Sequence, residues 1–127
     1  MSMKIMPIKI PGGFAVTYNK FFDVEPVQSE ESKGGLQNWG YFTQDIMQII
    51  KIGLKKGKWY IPSKDYMIID LGWYPDGDPN GEYGLSLAIV REDNSWDTIK
   101  EFSSKNRFEV KDKIEEWMEE NIKVYSP

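Results

Sequence analysis

The chain has 127 residues, 40% of them hydrophobic and 28% charged, and a formal net charge of −4. That length supports one packed core and a single domain, 1–127, and the composition is that of a folded protein rather than a disordered one. It has neither Cys nor His, which excludes disulfides, the usual zinc sites and thiol or imidazole catalysis, while the acidic balance argues against nucleic acid as a partner.

No stretch approaches 18 apolar residues, so no membrane span is expected. Lys4, Pro7, Lys9 and Pro11 interrupt the N-terminal run, unlike a secretory leader, and a cytoplasmic location is expected. Residues 4–10 read as a short strand ended by Pro11-Gly12-Gly13. Residues 14–24 alternate, with Phe14, Val16, Tyr18, Phe22 and Val24 on one face of a strand. Residues 26–35 are polar, include Glu30 and Glu31, and read as an exposed loop.

From Thr43 the period changes. Phe42, Ile46, Ile49, Ile50 and Leu54 share one helical face, with Gln44, Gln48, Lys51 and Lys55 outward, Thr43 as N-cap and Gly57 as C′ residue. The β-branched run 46–52 leaves a strand as the alternative; the spacing favours a helix. Residues 58–61 form a short strand stopped by Pro62-Ser63.

The organising stretch is 66–91. Met67, Ile69, Leu71 and Trp73 alternate on one strand and Tyr83, Leu85, Leu87 and Ile89 on a second, joined by Asp76-Gly77-Asp78-Pro79-Asn80-Gly81, all turn formers. A further strand at 96–102 lies at an edge, and a helix at 107–122 follows. Asn106 and Glu109 have the spacing of a capping box, and Val110, Ile114, Trp117, Met118 and Ile122 line the buried face. The fold expected is α+β: an antiparallel sheet built on the central hairpin, packed by a mid-chain helix and a C-terminal amphipathic helix.

The turn 76–81 opens like a calcium loop, but the twelfth position, where a bidentate Glu is needed, is Leu87 in a strand. Turn chemistry accounts for the same residues. Asp76, Asp78 and Glu82 sit on one turn tip and converge on nothing, so no carboxylate enzyme is expected. Trp39, Tyr41, Trp59, Tyr60, Trp73 and Tyr74 suit core or rim packing; an exposed subset around Trp59, Tyr60 and Tyr74 would make a small module that stacks a glycan or nucleotide.

The final helix carries more. Residues 109–120 hold six acids and two lysines, a net −4 equal to that of the chain. Asp112, Glu116 and Glu119 form a ridge opposite the apolar face, beside Glu115. Glu119 and Glu120 lie at the negative end of the helix dipole, where anions are unfavourable. Lys113 is placed to pair with Glu109 and Lys111 with Glu115. A ridge that breaks local rules is a candidate for contact with a partner.

The run Asp70-Leu71-Gly72-Trp73-Tyr74-Pro75, then Asp78-Pro79-Asn80-Gly81-Glu82-Tyr83-Gly84-Leu85, Asn94-Ser95-Trp96 and a terminal helix resembles short bacterial immunity proteins of polymorphic-toxin and contact-dependent inhibition systems. The resemblance spans 66–120 and implies an immunity protein that blocks a cognate toxin domain, in many such systems a nuclease, by stoichiometric occlusion. No toxin-contact residue carries over. The expected contact is Asp112, Glu115, Glu116 and Glu119, with Glu30 and Glu31 of the polar loop, against a basic protein surface. No cofactor, metal, nucleic acid or membrane is expected.

Overall fold

The computed structural model describes residues 4–29 and 35–122. Its frame is a five-stranded antiparallel sheet in the order β1-β2-β5-β6-β7: β1 (Phe14–Asn19), β2 (Met47–Lys51), β5 (Tyr66–Tyr74), β6 (Glu82–Val90) and β7 (Trp96–Ser104). Between β2 and β5 the chain makes a separate two-stranded arm, β3 (Gly53–Lys55) and β4 (Lys58–Tyr60). One helix, α1 (Arg107–Glu120), closes the chain. The α+β class is the one expected from the sequence.

The central hairpin pairs in register from Tyr66↔Val90 to Tyr74↔Glu82. Ile69, Leu71 and Trp73 meet Leu87, Leu85 and Tyr83 on the face that α1 covers with Val110, Ile114, Trp117 and Met118. At the turn end the core is aromatic: Trp73 stands edge-on to Tyr83 with centroids 5.0 Å apart and to Phe42 at 4.8 Å. Four fully buried helix side chains, at roughly 1.5–3 kcal/mol of gross transfer free energy each, dock α1 far more strongly than helix propensity does.

The mid-chain helix does not form. Residues 47–51 are β2, an inner strand between β1 and β5. Such a strand buries both faces: Met47 and Ile49 enter the helix-covered core, while Ile50 joins Ile68, Ala88 and Val90 in a second cluster on the opposite face. Two-sided burial removes the alternation that marks a strand and leaves a run that also fits a helical stripe. Gly57, read as a helix C′ residue, has positive φ (77°) for another reason: with Lys56 (φ 53°) it makes the two-residue turn between β3 and β4.

The N-terminal strands are shorter than expected. Residues 4–10 contribute only an isolated bridge, Ile5↔Phe22. β1 carries a bulge between Val16 and Tyr18, which turns Tyr18 to the face of Gln48. It ends where the Asn19 side chain accepts the Phe21 N–H at 2.9 Å. Phe21, not Phe22, therefore enters the core, and Val16 and Tyr18 are exposed. β7 has a second bulge: Leu87 pairs with Lys100 and Ala88 with Thr98, so Ile99 is the extra residue.

The start of α1 is capped as the sequence predicts, with one variation. The Asn106 side chain accepts from the N–H groups of Phe108 (2.9 Å) and Glu109 (3.4 Å). Glu109 answers through an intermediary: the Asn106 N–H donates to Ser104 Oγ, whose hydroxyl donates to Glu109 at 2.9 Å. Among the described residues no helix is long and apolar enough to cross a membrane.

Candidate functional site

The acidic residues of α1 separate into two roles. Glu115 is half-buried and structural: its carboxylate accepts the Lys111 ammonium at 2.8 Å and the main-chain N–H of Lys9 at 3.0 Å, tying the N-terminal segment to the helix. Burial alone would raise the Glu115 pKa, but those two donors outweigh it and hold the carboxyl below its ordinary value. Asp112, Glu116 and Glu119 are exposed. Glu116 pairs with Lys113 at 2.8 Å, so Lys113 serves Glu116 and not Glu109. The carboxylates of Asp112 and Glu119 have no hydrogen-bond or ion-pair partner among the described residues. Glu30 and Glu31, the other two expected contact residues, lie outside the described residues.

Asp112, Glu115, Glu116 and Glu119 form one wall of a shallow concavity of about 540 Å³ whose other wall is Lys9, Ile10 and Pro11. The ridge is held at both ends. At the start of α1, Arg107 bridges to Asp23 at 2.7 Å and to Glu25. At its end, the buried Lys51 amine of β2 donates to the carbonyl of Asn121 and lies 5.0 Å from the Phe14 ring centroid. Burial lowers the Lys51 pKa, and the negative end of the helix dipole is where a cation is most stable. Ile122, expected on the buried face, is 42% exposed beyond this anchor.

Beside Ile122 lies a smaller hollow of about 240 Å³ between segment 12–13 and the β3–β4 arm. The arm is amphipathic. Leu54 and Trp59 are a cross-strand pair on one face, each 55% exposed, and Lys55 pairs with Lys58 on the other. At its base, a Cβ on Gly53 would sit 2.5 Å from the Tyr60 ring, so Gly53 is required for the ring to lie there.

The exposed aromatics do not form one platform. Trp59 and Tyr60 belong to the arm, near the Met67 end of β5. Tyr74 sits seven residues further along that strand, roughly 23 Å away at ~3.3 Å per residue. There its ring lies over Gly84, and its hydroxyl is 3.4 Å from the Gln44 carbonyl. Trp73 is buried, its indole N–H donating to the Asp78 carbonyl at 2.8 Å. The Asp78 carboxylate also accepts the Asn80 N–H at 2.8 Å, so the oxygens of Asp78 serve the turn itself. No group of three metal-ligating side chains converges among the described residues.

One feature lay beyond reach of the linear pattern. On the sheet face away from α1, Tyr18, Gln48, Asp70, Ser86 and Glu101 stand opposite one another across all five strands, a continuous polar row. Gln48 donates to Asp70 at 3.3 Å. Burial, and then the nearby Asp45 carboxylate, push the Asp70 pKa up against that hydrogen bond. Five polar side chains from five separate segments align only once register is known. The one sequence signal was Asp70 itself, a charged residue inside the apolar run 67–73.

Comparison with protein-family models, curated proteins and solved structures finds no match to this chain.

Proposed function

We propose that this domain is an immunity-type protein that binds a toxin domain with a basic surface and blocks it by occlusion, without turnover. The observation that carries this reading is the outward row Asp112, Glu116 and Glu119 on a helix fixed by four buried side chains and pinned at Lys9, Asp23 and Lys51. A fixed row of like charges loses little entropy on binding, raises the encounter rate with a cationic surface and selects against acidic partners. The resemblance of 66–120 to bacterial immunity proteins points the same way.

The test uses the product of the reading frame beside this protein's gene. Wild-type protein is expected to inhibit it at one-to-one stoichiometry. The Asp112→Lys, Glu116→Lys, Glu119→Lys variant should bind at least about tenfold more weakly, mainly through slower association, with its fold unchanged by circular dichroism. Full protection by the triple variant would dismiss the ridge as the contact. Absence of any complex with wild type would dismiss the function.

A further inference from the structure

We infer that the hollow between the β3–β4 arm and segment 12–13 receives a single apolar side chain from the partner, and that cationic residues neighbouring this anchor in the partner's chain lie along the α1 ridge. The inference deepens the function proposed above and rests on it.

Three observations meet here. First, the hollow is small. Its volume of about 240 Å³ is below the ~300–1,000 Å³ of pockets that enclose a small-molecule ligand, and it suits one side chain. Second, its walls offer exposed apolar surface that includes two aromatics of the kind enriched in interface hot spots: Trp59 and Tyr60 of the arm, with Leu54 and with Ile122 beyond α1, expose between 42% and 55% of their surface. Gly12, Gly13 and Gly53 line it as well, beside Lys51 and Ile52, so part of the wall that an incoming side chain meets is bare main chain. Third, the hollow adjoins the acidic concavity. Along the N-terminal segment the lining passes from Pro11 to Gly12, and at the end of α1 from Glu119 to Ile122, three residues on.

The spacing follows from helix geometry. Glu119, Glu116 and Asp112 lie three, six and ten residues before Ile122, or roughly 4.5, 9 and 15 Å at ~1.5 Å per residue. A partner segment in extended form advances ~3.3 Å per residue. Its cations therefore fall about one to five residues from the anchor. Lys55 and Lys58 pair toward the tip of the arm, on the face that carries Tyr60, and Lys56 lies in its turn. They repel a cationic segment there and direct its charged part toward the helix, which sets the orientation.

The probes are two blocked peptides without Trp: one Phe, one Gly and four Arg, and the same sequence reversed. Binding is read by the protein's Trp emission and by calorimetry. One of the two orientations is expected to bind, with emission changing in the wild type and not in Trp59→Phe. Replacing the peptide's Phe by Ala, or Trp59 by Ala in the protein, should each weaken binding about tenfold or more. Replacing Arg by Glu should abolish it. Leu54→Ala serves as a second variant; both positions are exposed, so the fold is retained. Equal binding of the Phe and Ala peptides means charge attraction alone and overturns the inference. So does binding that ignores both arm variants, no binding of either orientation, or Trp59-dependent self-association on sedimentation. Each of those leaves the proposed function standing if reversal of the ridge still breaks the complex with the neighbouring gene's product.

Discussion

Glu115 offers the sharpest measurement of how the site is held together. In Glu115→Ala the Lys9 N–H loses its acceptor, worth ~0.5–1.5 kcal/mol net. The Lys111 ammonium loses an i,i+4 partner worth ~0.3–0.5 kcal/mol; the Glu115 side chain is 24% exposed, so the upper half of that range applies. Together they predict a loss of about 1–2 kcal/mol, or roughly 4–8 °C in Tm for a chain of this size. The pH dependence identifies the cause. The Glu115 pKa lies below its ordinary value in the fold, so its contribution is complete above the unfolded pKa, about 4.3. It disappears as pH falls through the folded value. Urea titrations of wild type and variant should differ at neutral pH and converge in acid, once the carboxyl is protonated. Adding Lys111→Ala to both backgrounds isolates the pair term. A midpoint difference that persists undiminished in acid, or no difference at neutral pH, would show that the clamp is not what the geometry implies.

Two further outcomes follow from the same structure. Asn106→Ala removes the acceptor for two N–H groups of the first turn of α1 and should cost about 1 kcal/mol, whereas Asn106→Gly should cost only a few tenths; chemical denaturation of the pair distinguishes cap loss from general damage. Asp70 has a pKa raised by burial, so its ionised form is disfavoured by folding: its contribution to stability is full below about pH 3.9 and lost as pH rises through the folded value. Asp70→Asn keeps an acceptor for Gln48 and should raise Tm at pH 7 with no gain at low pH; a lower Tm at pH 7 would contradict the desolvation argument.

The central hairpin was legible because three signals coincided: alternation on both strands, a loop of turn formers, and β-branched or aromatic side chains. α1 was legible for the same reason, its cap and apolar stripe agreeing to within two residues. β2 was not. Met47, Ile49 and Ile50 are buried on two sides of an inner strand, and the resulting pattern supports a helix as well as a strand until neighbours are known. Tyr18 was assigned the wrong face because a bulge adds one residue and reverses every later side chain. Of the candidate site, the acids of α1 were visible, but not that Glu115 turns inward to Lys9 while the Asp112 and Glu119 carboxylates meet no partner among the described residues. The groove was invisible because Gly12, Trp59 and Ile122 meet only through the fold.

The bulge at Ile99 bears on how copies of this molecule treat one another. β7 is a nine-residue outer strand, long enough to template a neighbour's backbone into an endless ladder. A newcomer would find the hydrogen-bonding rhythm out of step at Ile99, with Asp97, Lys100 and Glu101 spaced around the misfit. The other border, β1, stumbles likewise at Thr17. With the rhythm broken at both borders of the sheet, strand-on-strand, fibre-like growth between crowded copies is disfavoured.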